Sequence, residues 1–181
     1  MVFQTGYAQQ FNSLSQSEAN GIVHMREEEK LARDVYDSLF AKWETNPFGN
    51  IRKSEQVHMD RMKALIETYQ LQDPVTQTGN KPGLFMNATL QKYYNELLAS
   101  GTQSVVEALK AGAKIEELDI SDLISYAKHV NKKDILDTYS YLKKASENHL
   151  RAFVGRLKVY GINYAPLILD PKEFQNIIDN Y

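Results

Sequence analysis

The chain has 181 residues and a formal net charge of −2, from 21 basic and 23 acidic residues. This length suits one compact domain with a substantial core, and the near-neutral charge argues against nucleic acid as a partner. The chain contains no cysteine, which excludes disulfides, thiolate catalysis and iron–sulfur clusters, so any metal must be bound by Glu, Asp and His. No stretch approaches the ~18 consecutive apolar residues of a membrane span.

The N-terminal segment, residues 1–16, is polar and is predicted to be flexible, whereas residues 17–181 are predicted to form a single folded domain. The segment lacks the basic residues and the apolar run of an intact signal peptide. Its Gln-rich, Lys-free composition favours an exported mature chain over a cytoplasmic one.

Apolar residues recur every three to four positions through most of the chain, and strand alternation is nowhere sustained, which predicts an all-α fold. The first long helix is predicted at residues 17–43 and ends before the helix-breaking cluster at 45–50. The second is predicted at residues 51–70. A long connection, residues 71–101, follows and contains a short helix at 89–100.

The third long helix is predicted from Thr102, as the N-cap, to about Val130, and the fourth over residues 133–160. Asp170 and Pro171 predict a short C-terminal helix, because proline is favoured at the first helical position. Two helix pairs joined by a long crossover between the second and third helices form the ferritin-like four-helix bundle. A simple up-down-up-down bundle is the alternative.

Each long helix carries a Glu, Asp or His in its apolar stripe, the line of residues that faces the bundle interior. Glu55 and His58, three residues apart in the second helix, form an inward E-x-x-H pair. Asp119 lies one turn beyond Glu116 in the third helix. The candidate ligands are Glu29 in the first helix, Glu55 and His58 in the second, Glu116 and Asp119 in the third, and His149 in the fourth.

Several buried carboxylates cannot remain uncompensated, because each costs several kcal/mol against a total stability of ~5–15 kcal/mol. Two divalent metal ions would neutralise them, since carboxylate oxygens and imidazoles suit iron, manganese and zinc. The alternative is a buried ion-pair network with Arg33 and Arg151 and no metal.

Charged residues beside the stripes are expected on solvated helix faces. Glu28 and Glu117 lie close enough to the stripes to act as reserve ligands. Tyr36, Tyr69 and Tyr139 are expected to be core residues, with electron transfer as the alternative role. The residues expected to be solvated are Glu27, Glu28, Glu117, Glu147, His24 and His129.

Residues 25–36, MREEEKLARDVY, resemble the first-helix motif of the rubrerythrin and bacterioferritin group, in which a Glu also precedes Ala-Arg and a Tyr. Together with EQVH at 55–58, IEELDI at 115–120 and SENHLR at 146–151, they resemble a ferritin-like family known only as a domain of unknown function. The resemblance extends over residues 17–160 and implies a ferritin-like fold.

The resemblance also implies metal-ligand roles, with one departure. Ser146 stands three residues before His149, where the related families have a Glu, and Asp119 of the neighbouring helix is the candidate replacement. The implied roles are Glu29 and His58 as terminal ligands, Glu55 as the bridging ligand, and Glu116 and His149 as the second half of the site.

These patterns predict two ions, iron first and manganese or zinc as alternatives, that activate dioxygen or peroxide in ferroxidase or peroxidase chemistry. An unidentified electron donor is expected as a partner, and homo-oligomerisation is left open. The second hypothesis is metal storage or delivery without turnover, favoured by Ser146 and by the absence of a cysteine-ligated iron site. The third is a helical partner-binding module whose inward charges are a relic.

Overall fold

The computed structural model describes residues 14–180, which form seven α-helices and contain no strand. The segment predicted to be flexible, residues 1–16, lies outside the described residues except for its last three. The helices are α1 (Gln16–Trp43), α2 (Phe48–Thr68), α3 (Pro74–Gln77), α4 (Ala88–Gly101), α5 (Val105–Ala127), α6 (Lys133–Val159) and α7 (Pro171–Asp179).

The four long helices α1, α2, α5 and α6 form a bundle. Short turns join α1 to α2 and α5 to α6, and the two pairs meet where α1 packs on α5 and α2 packs on α6. The crossover between α2 and α5 carries α3 and α4, which cover α1 and α5, and α7 packs on α6. The prediction of an all-α bundle with a long crossover and a short C-terminal helix is confirmed. Across residues 14–180, none of the helices combines the length and apolar character needed to cross a bilayer.

The predicted N-cap of α5 is wrong by two residues. Thr102 remains in the helical region and ends α4, where its hydroxyl donates to the Leu98 carbonyl at 2.7 Å. Ser104 is the N-cap instead, because its extended backbone lets its side chain accept from the Glu107 amide at 3.1 Å. Thr102 and Ser104 both carry a hydroxyl that could cap α5, and the backbone conformation of each residue decides which one does.

The second helix begins earlier than predicted, at Phe48, within the cluster of helix-breaking residues. Phe48 is buried between the rings of Tyr36 and Phe153, with centroid distances of 5.8 and 5.2 Å. The first turn of α2 requires a glycine at Gly49, because a Cβ there would lie 2.7 Å from the Phe40 ring. Close packing therefore overrides the local breaker signal.

Ionic contacts hold the crossover against α1. Lys30 and Asp34, both buried, pair at 2.5 Å one turn apart. Lys30 also donates to the Lys81 carbonyl, and Asp34 accepts from the Gly83 amide. The crossover is thus fixed through its backbone to a charged pair on α1.

Two apolar clusters fill the bundle, and a polar layer separates them. One cluster contains Tyr36, Ile51, Ala113 and Phe153, and the other contains Met25, Met62, Leu123 and Leu142. In all four long helices, the inward acidic residue or histidine lies between members of the two clusters. The polar layer is formed by Glu29, Glu55, His58, Glu116, Asp119, Ser146 and His149.

Gly112 tests the close packing of α5 on α6. A Cβ at Gly112 would lie 2.4 Å from the ring of the fully buried Phe153, so Gly112→Ala is expected to destabilise the protein by ~1–3 kcal/mol. For a chain of this size each kcal/mol lowers Tm by ~2–4 °C, which thermal unfolding would detect. Gly155→Ala in α6 is the matched control, because that site faces open space and alanine favours the helix. A Tm for Gly112→Ala at or above that of the control would contradict this packing.

Candidate metal centre

Glu55 occupies the middle of the polar layer and faces two imidazoles. Its Oε2 lies 2.7 Å from Nδ1 of His58, one turn along α2. Its Oε1 lies 2.9 Å from Nδ1 of His149, on α6. Because α2 and α6 pack together, one buried carboxylate links the histidines of two different helices.

A second carboxylate completes each half of the arrangement. On one side, Glu29 Oε2 of α1 lies 3.1 Å from His58 Nδ1, and on the other, Glu116 Oε2 of α5 lies 3.5 Å from His149 Nδ1. The donor atoms of each group of three lie within 4.8 Å of one another. We call Glu29, Glu55 and His58 the first triad, and Glu55, Glu116 and His149 the second triad.

The hydrogen-bonding capacity of the triads is not filled within residues 14–180. Each Nδ1 faces two carboxylate oxygens, yet one ring nitrogen carries at most one hydrogen. Glu29 Oε1, Glu55 Oε1 and His149 Nδ1 are buried and form no well-aligned hydrogen bond there. The two imidazole rings stack with a centroid distance of 5.6 Å. Each triad therefore directs unsatisfied carboxylate and imidazole lone pairs toward a common point, and Glu55 contributes to both triads.

Burial and the charges of neighbouring groups strongly shift the pKa values of the triad residues. Burial, together with the charge of Glu55, raises the pKa of Glu29 to about 8, and it also raises the pKa of Glu116. Burial alone would raise the pKa of Glu55, but the two imidazoles outweigh it and hold that pKa at about 2. Burial opposes charge on the histidines, yet the surrounding carboxylates raise the pKa of His58 to about 12 and that of His149 to about 10. Protons therefore occupy the centre when no metal does.

The arginines of the ion-pair alternative bind elsewhere. Arg33 donates to Asp34 and Asn80, and Arg151 donates to the Ile177 carbonyl. The ion pairs of the triad carboxylates in the described part of the chain are with the two histidines. The geometry thus supplies no arginine to neutralise the polar layer.

Asp119 is buried in the polar layer, but the structure does not bring it into either triad. The Ser146 hydroxyl donates to Asp119 Oδ2, while Oδ1 has no partner in the described residues. Burial and the charges of Glu29 and Glu28 raise the Asp119 pKa well above its ordinary value. Ser146, which stands where the related families have a Glu, thus contacts Asp119, the predicted replacement for that Glu.

Three glutamates predicted to be solvated are buried instead, and connections fold back over two of them. Glu27 accepts hydrogen bonds from the backbone amides of Met86 and Asn87 in the crossover. Glu117 accepts from the Tyr164 hydroxyl and from the amides of residues 167–169. Helix periodicity carries no information about such coverage, although the length of both connections is compatible with it.

The third of these glutamates is Glu28, which lies 3.5 Å from His24. His24 was also predicted to be solvated and is instead largely buried, with Asp122 as a further partner. Glu147 is half-buried and pairs with Lys143. Of the group expected on the surface, His129 is the exposed member.

One of the three tyrosines contacts the centre. The Tyr36 hydroxyl donates to Glu116 Oε1 at 2.6 Å, and burial beside carboxylates raises the Tyr36 pKa well above its usual value. Tyr139 belongs to an apolar cluster, and Tyr69 donates to Asp134. Tyr36 is thus a buried, protonated donor that orients one ligand candidate.

The comparisons with known proteins agree with this fold. The model of an uncharacterized protein domain, DUF2202, matches residues 18–181. The chain belongs to the DUF2202 family. This DUF2202 chain is 45% identical over 167 residues to uncharacterized protein MJ0754 of Methanocaldococcus jannaschii, a match that covers 92% of the chain and 89% of that protein. It is similar to the crystal structure of hypothetical protein MJ0754 from Methanococcus jannaschii DSM 2661, with a TM-score of 0.90, 45% identity, and coverage of 93% of this chain and 95% of that one.

The pKa shifts predict how the stability of the metal-free DUF2202 protein depends on pH. A group whose pKa is raised by folding contributes stability that is full below its ordinary pKa and is lost as pH rises toward the folded pKa. Glu29, from 4.5 to about 8, and both triad histidines, from 6.5 upward, act in this direction. Glu55, whose pKa is lowered, contributes stability that is lost only below pH 4.5.

Chelator-treated protein is therefore expected to be less stable at pH 8 than at pH 5. Tm by circular dichroism should fall by at least ~3 °C over this range, since ~2–4 °C corresponds to 1 kcal/mol. Glu29→Gln, which removes one of the titrating groups, should reduce the fall. A Tm that is constant or rises from pH 5 to pH 8 would show that folding does not raise the pKa values of Glu29, His58 and His149.

Proposed function

We propose that this protein binds two divalent metal ions, iron in the first place, one in each triad with Glu55 shared between them. The observation that carries the proposal is that both oxygens of buried Glu55 face imidazole nitrogens of different helices. Two carboxylates and one imidazole per ion suit iron, manganese and zinc. The unsatisfied atoms of the triads would gain a partner on binding.

The ligand pattern supports the proposal. Carboxylate-bridged di-metal bundles use a Glu from each of two helices and a Glu-x-x-His from each of the other two. Here α1 and α5 supply single glutamates, α2 supplies Glu55 and His58, and α6 supplies Ser146 and His149. The resemblance of the first-helix motif to the rubrerythrin and bacterioferritin group points the same way. We therefore extend the family assignment to a ferritin-like di-metal protein as part of the proposal.

Bound iron would supply one-electron redox chemistry toward dioxygen or peroxide, of ferroxidase or peroxidase type. The chain's own residues prepare the site for it. Tyr36 holds Glu116 through its hydroxyl, and the apolar clusters on either side keep bulk water away from the polar layer. Asp119 accepts from Ser146 through Oδ2, and burial raises the pKa of its carboxyl group, which favours a proton on Oδ1. Its carboxyl group is a proton source beside the triads.

The electron donor would not be a cysteine-ligated iron centre formed by these 181 residues, because they include no cysteine. Metal storage or delivery without turnover is the second candidate function. Ser146 favours it, since α6 offers one carboxylate fewer than the di-iron pattern requires.

Metal counting tests the two-ion proposal. After anaerobic loading with ferrous iron and removal of excess, elemental mass spectrometry should find two ions per chain fewer in Glu55→Ala than in the wild-type protein. The reason is that Glu55 is the one residue shared by both triads. Glu67→Ala, which removes an exposed glutamate from the same helix, is the control and should keep the wild-type count. Equal counts in wild type and Glu55→Ala would refute the shared site.

An oxidation assay separates the two candidate functions. For a di-iron oxidoreductase, ferrous oxidation by dioxygen or peroxide should be at least ~10-fold faster with wild-type protein than with Glu55→Ala/His58→Ala, since removal of groups that support a metal typically costs 10–100-fold. The measurements are stopped-flow absorbance and oxygen consumption. Reversible, stoichiometric iron binding with equal oxidation rates in both proteins would support storage or delivery and exclude the redox function.

A further inference from the structure

A third group of metal-binding side chains lies outside both triads, between α1 and α5. His24 Nε2 is 2.9 Å from Asp122 Oδ2 and 3.5 Å from Glu28 Oε2. One donor atom from each of these residues lies within 4.8 Å of the others. His24 and Glu28 are one turn apart on α1, so the helix itself fixes their relative position.

Glu28 is the member of this group whose environment indicates that a cation binds here. Its exposed fraction is 1%, and neither carboxylate oxygen has a hydrogen-bond partner in the part of the chain that the structure describes. Glu27 and Glu117 are buried to a similar degree, but both oxygens of each accept hydrogen bonds from backbone amides. A carboxylate that anchors no loop and accepts no hydrogen bond is costly unless a cation binds it.

The group is accessible from the surface. The His24 side chain is 20% exposed and that of Asp122 is 29% exposed. His24 borders a surface cavity that Asn87 and Tyr126 also line. A hydrated ion can therefore reach the imidazole and the Asp122 carboxylate before it meets buried Glu28.

We propose that His24, Glu28 and Asp122 form a third divalent-cation site, separate from the two triads. One imidazole nitrogen with two carboxylates selects borderline ions such as Zn²⁺, Co²⁺, Mn²⁺ and Fe²⁺ over Mg²⁺ and Ca²⁺, which prefer all-oxygen sites. The site shares no residue with the triads, so it binds its ion whether or not the bundle centre is filled.

Asn87 disfavours the imidazole tautomer that binding through Nε2 requires. Its Oδ1 accepts from the amides of Thr89 and Leu90, which leaves Nδ2 facing His24 Nδ1 at 3.4 Å. Coordination through Nε2 places the imidazole hydrogen on Nδ1, opposite a group that accepts no hydrogen bond. An aspartate at this position would keep the N-cap and add a carboxylate acceptor for Nδ1–H, which strengthens metal-bound histidines. Asn87→Asp is therefore expected to tighten binding.

Zinc binding to the Glu55→Ala/His58→Ala protein isolates this site from the bundle centre. Calorimetry and elemental analysis of chelator-treated protein should find one Zn²⁺ per chain. The count should fall to zero when His24→Ala or the milder Asp122→Asn is added. His129→Ala, which removes an exposed histidine, is the control and should retain the ion. An unchanged count after His24→Ala and after Asp122→Asn would overturn the proposal.

The Asn87→Asp variant tests whether Nε2 is the ligand atom. It should lower the zinc Kd by ~10-fold in protein that contains His24, in line with the effect of groups that orient a metal-bound histidine. It should have no such effect when His24 is alanine, and an equal gain in both backgrounds would overturn the assignment of Nε2. The result is independent of the two-ion proposal, because wild-type protein would bind one Zn²⁺ if the triads bind none and three if they bind two.

Discussion

The bundle depends on compensating the carboxylates buried between its two apolar clusters. Glu29, Glu55, Glu116 and Asp119 lie in one layer, and the histidines that face them share too few hydrogens to satisfy every oxygen. Burial raises the pKa values of Glu29 and Glu116, so protons meet part of this demand. A pair of divalent ions would meet it more completely. The proposed metal binding would therefore involve the same atoms on which the stability of the bundle depends.

Helix periodicity was enough to identify the polar layer and the bundle. Glu29, Glu55 and His149 were predicted to face inward because each falls on the line of apolar residues of its own helix, and the packing of α1, α2, α5 and α6 brings them together. Periodicity could not show what covers a helix from outside, so the burial of Glu27 and Glu117 was missed. It also could not rank Thr102 against Ser104 as a cap, since that choice depends on backbone angles set by tertiary packing.

Ser146 illustrates how a departure from a pattern can be absorbed locally. Its hydroxyl donates to Asp119, which stands one turn beyond Glu116 on the neighbouring helix. The polar layer therefore keeps a carboxylate at this level of the bundle, but on α5 rather than α6. Burial and the charges of nearby Glu29 and Glu28 raise the pKa of the Asp119 carboxyl group. The two halves of the site are thus electrostatically unequal.

The carboxylates of Glu27 and Glu117 bind the connections mainly through backbone amides, and the Tyr164 hydroxyl adds a side-chain donor to Glu117. Any residue other than proline presents such an amide, so exposed Met86 and Leu167 can change over evolution without loss of the anchor. Asn87 and Leu169 are more constrained, because the Asn87 side chain also caps α4 and Leu169 lies in an apolar cluster. The two glutamates have no comparable freedom. Among relatives of this chain, sequence drift should therefore concentrate in the covering segments, while their path over the bundle stays the same.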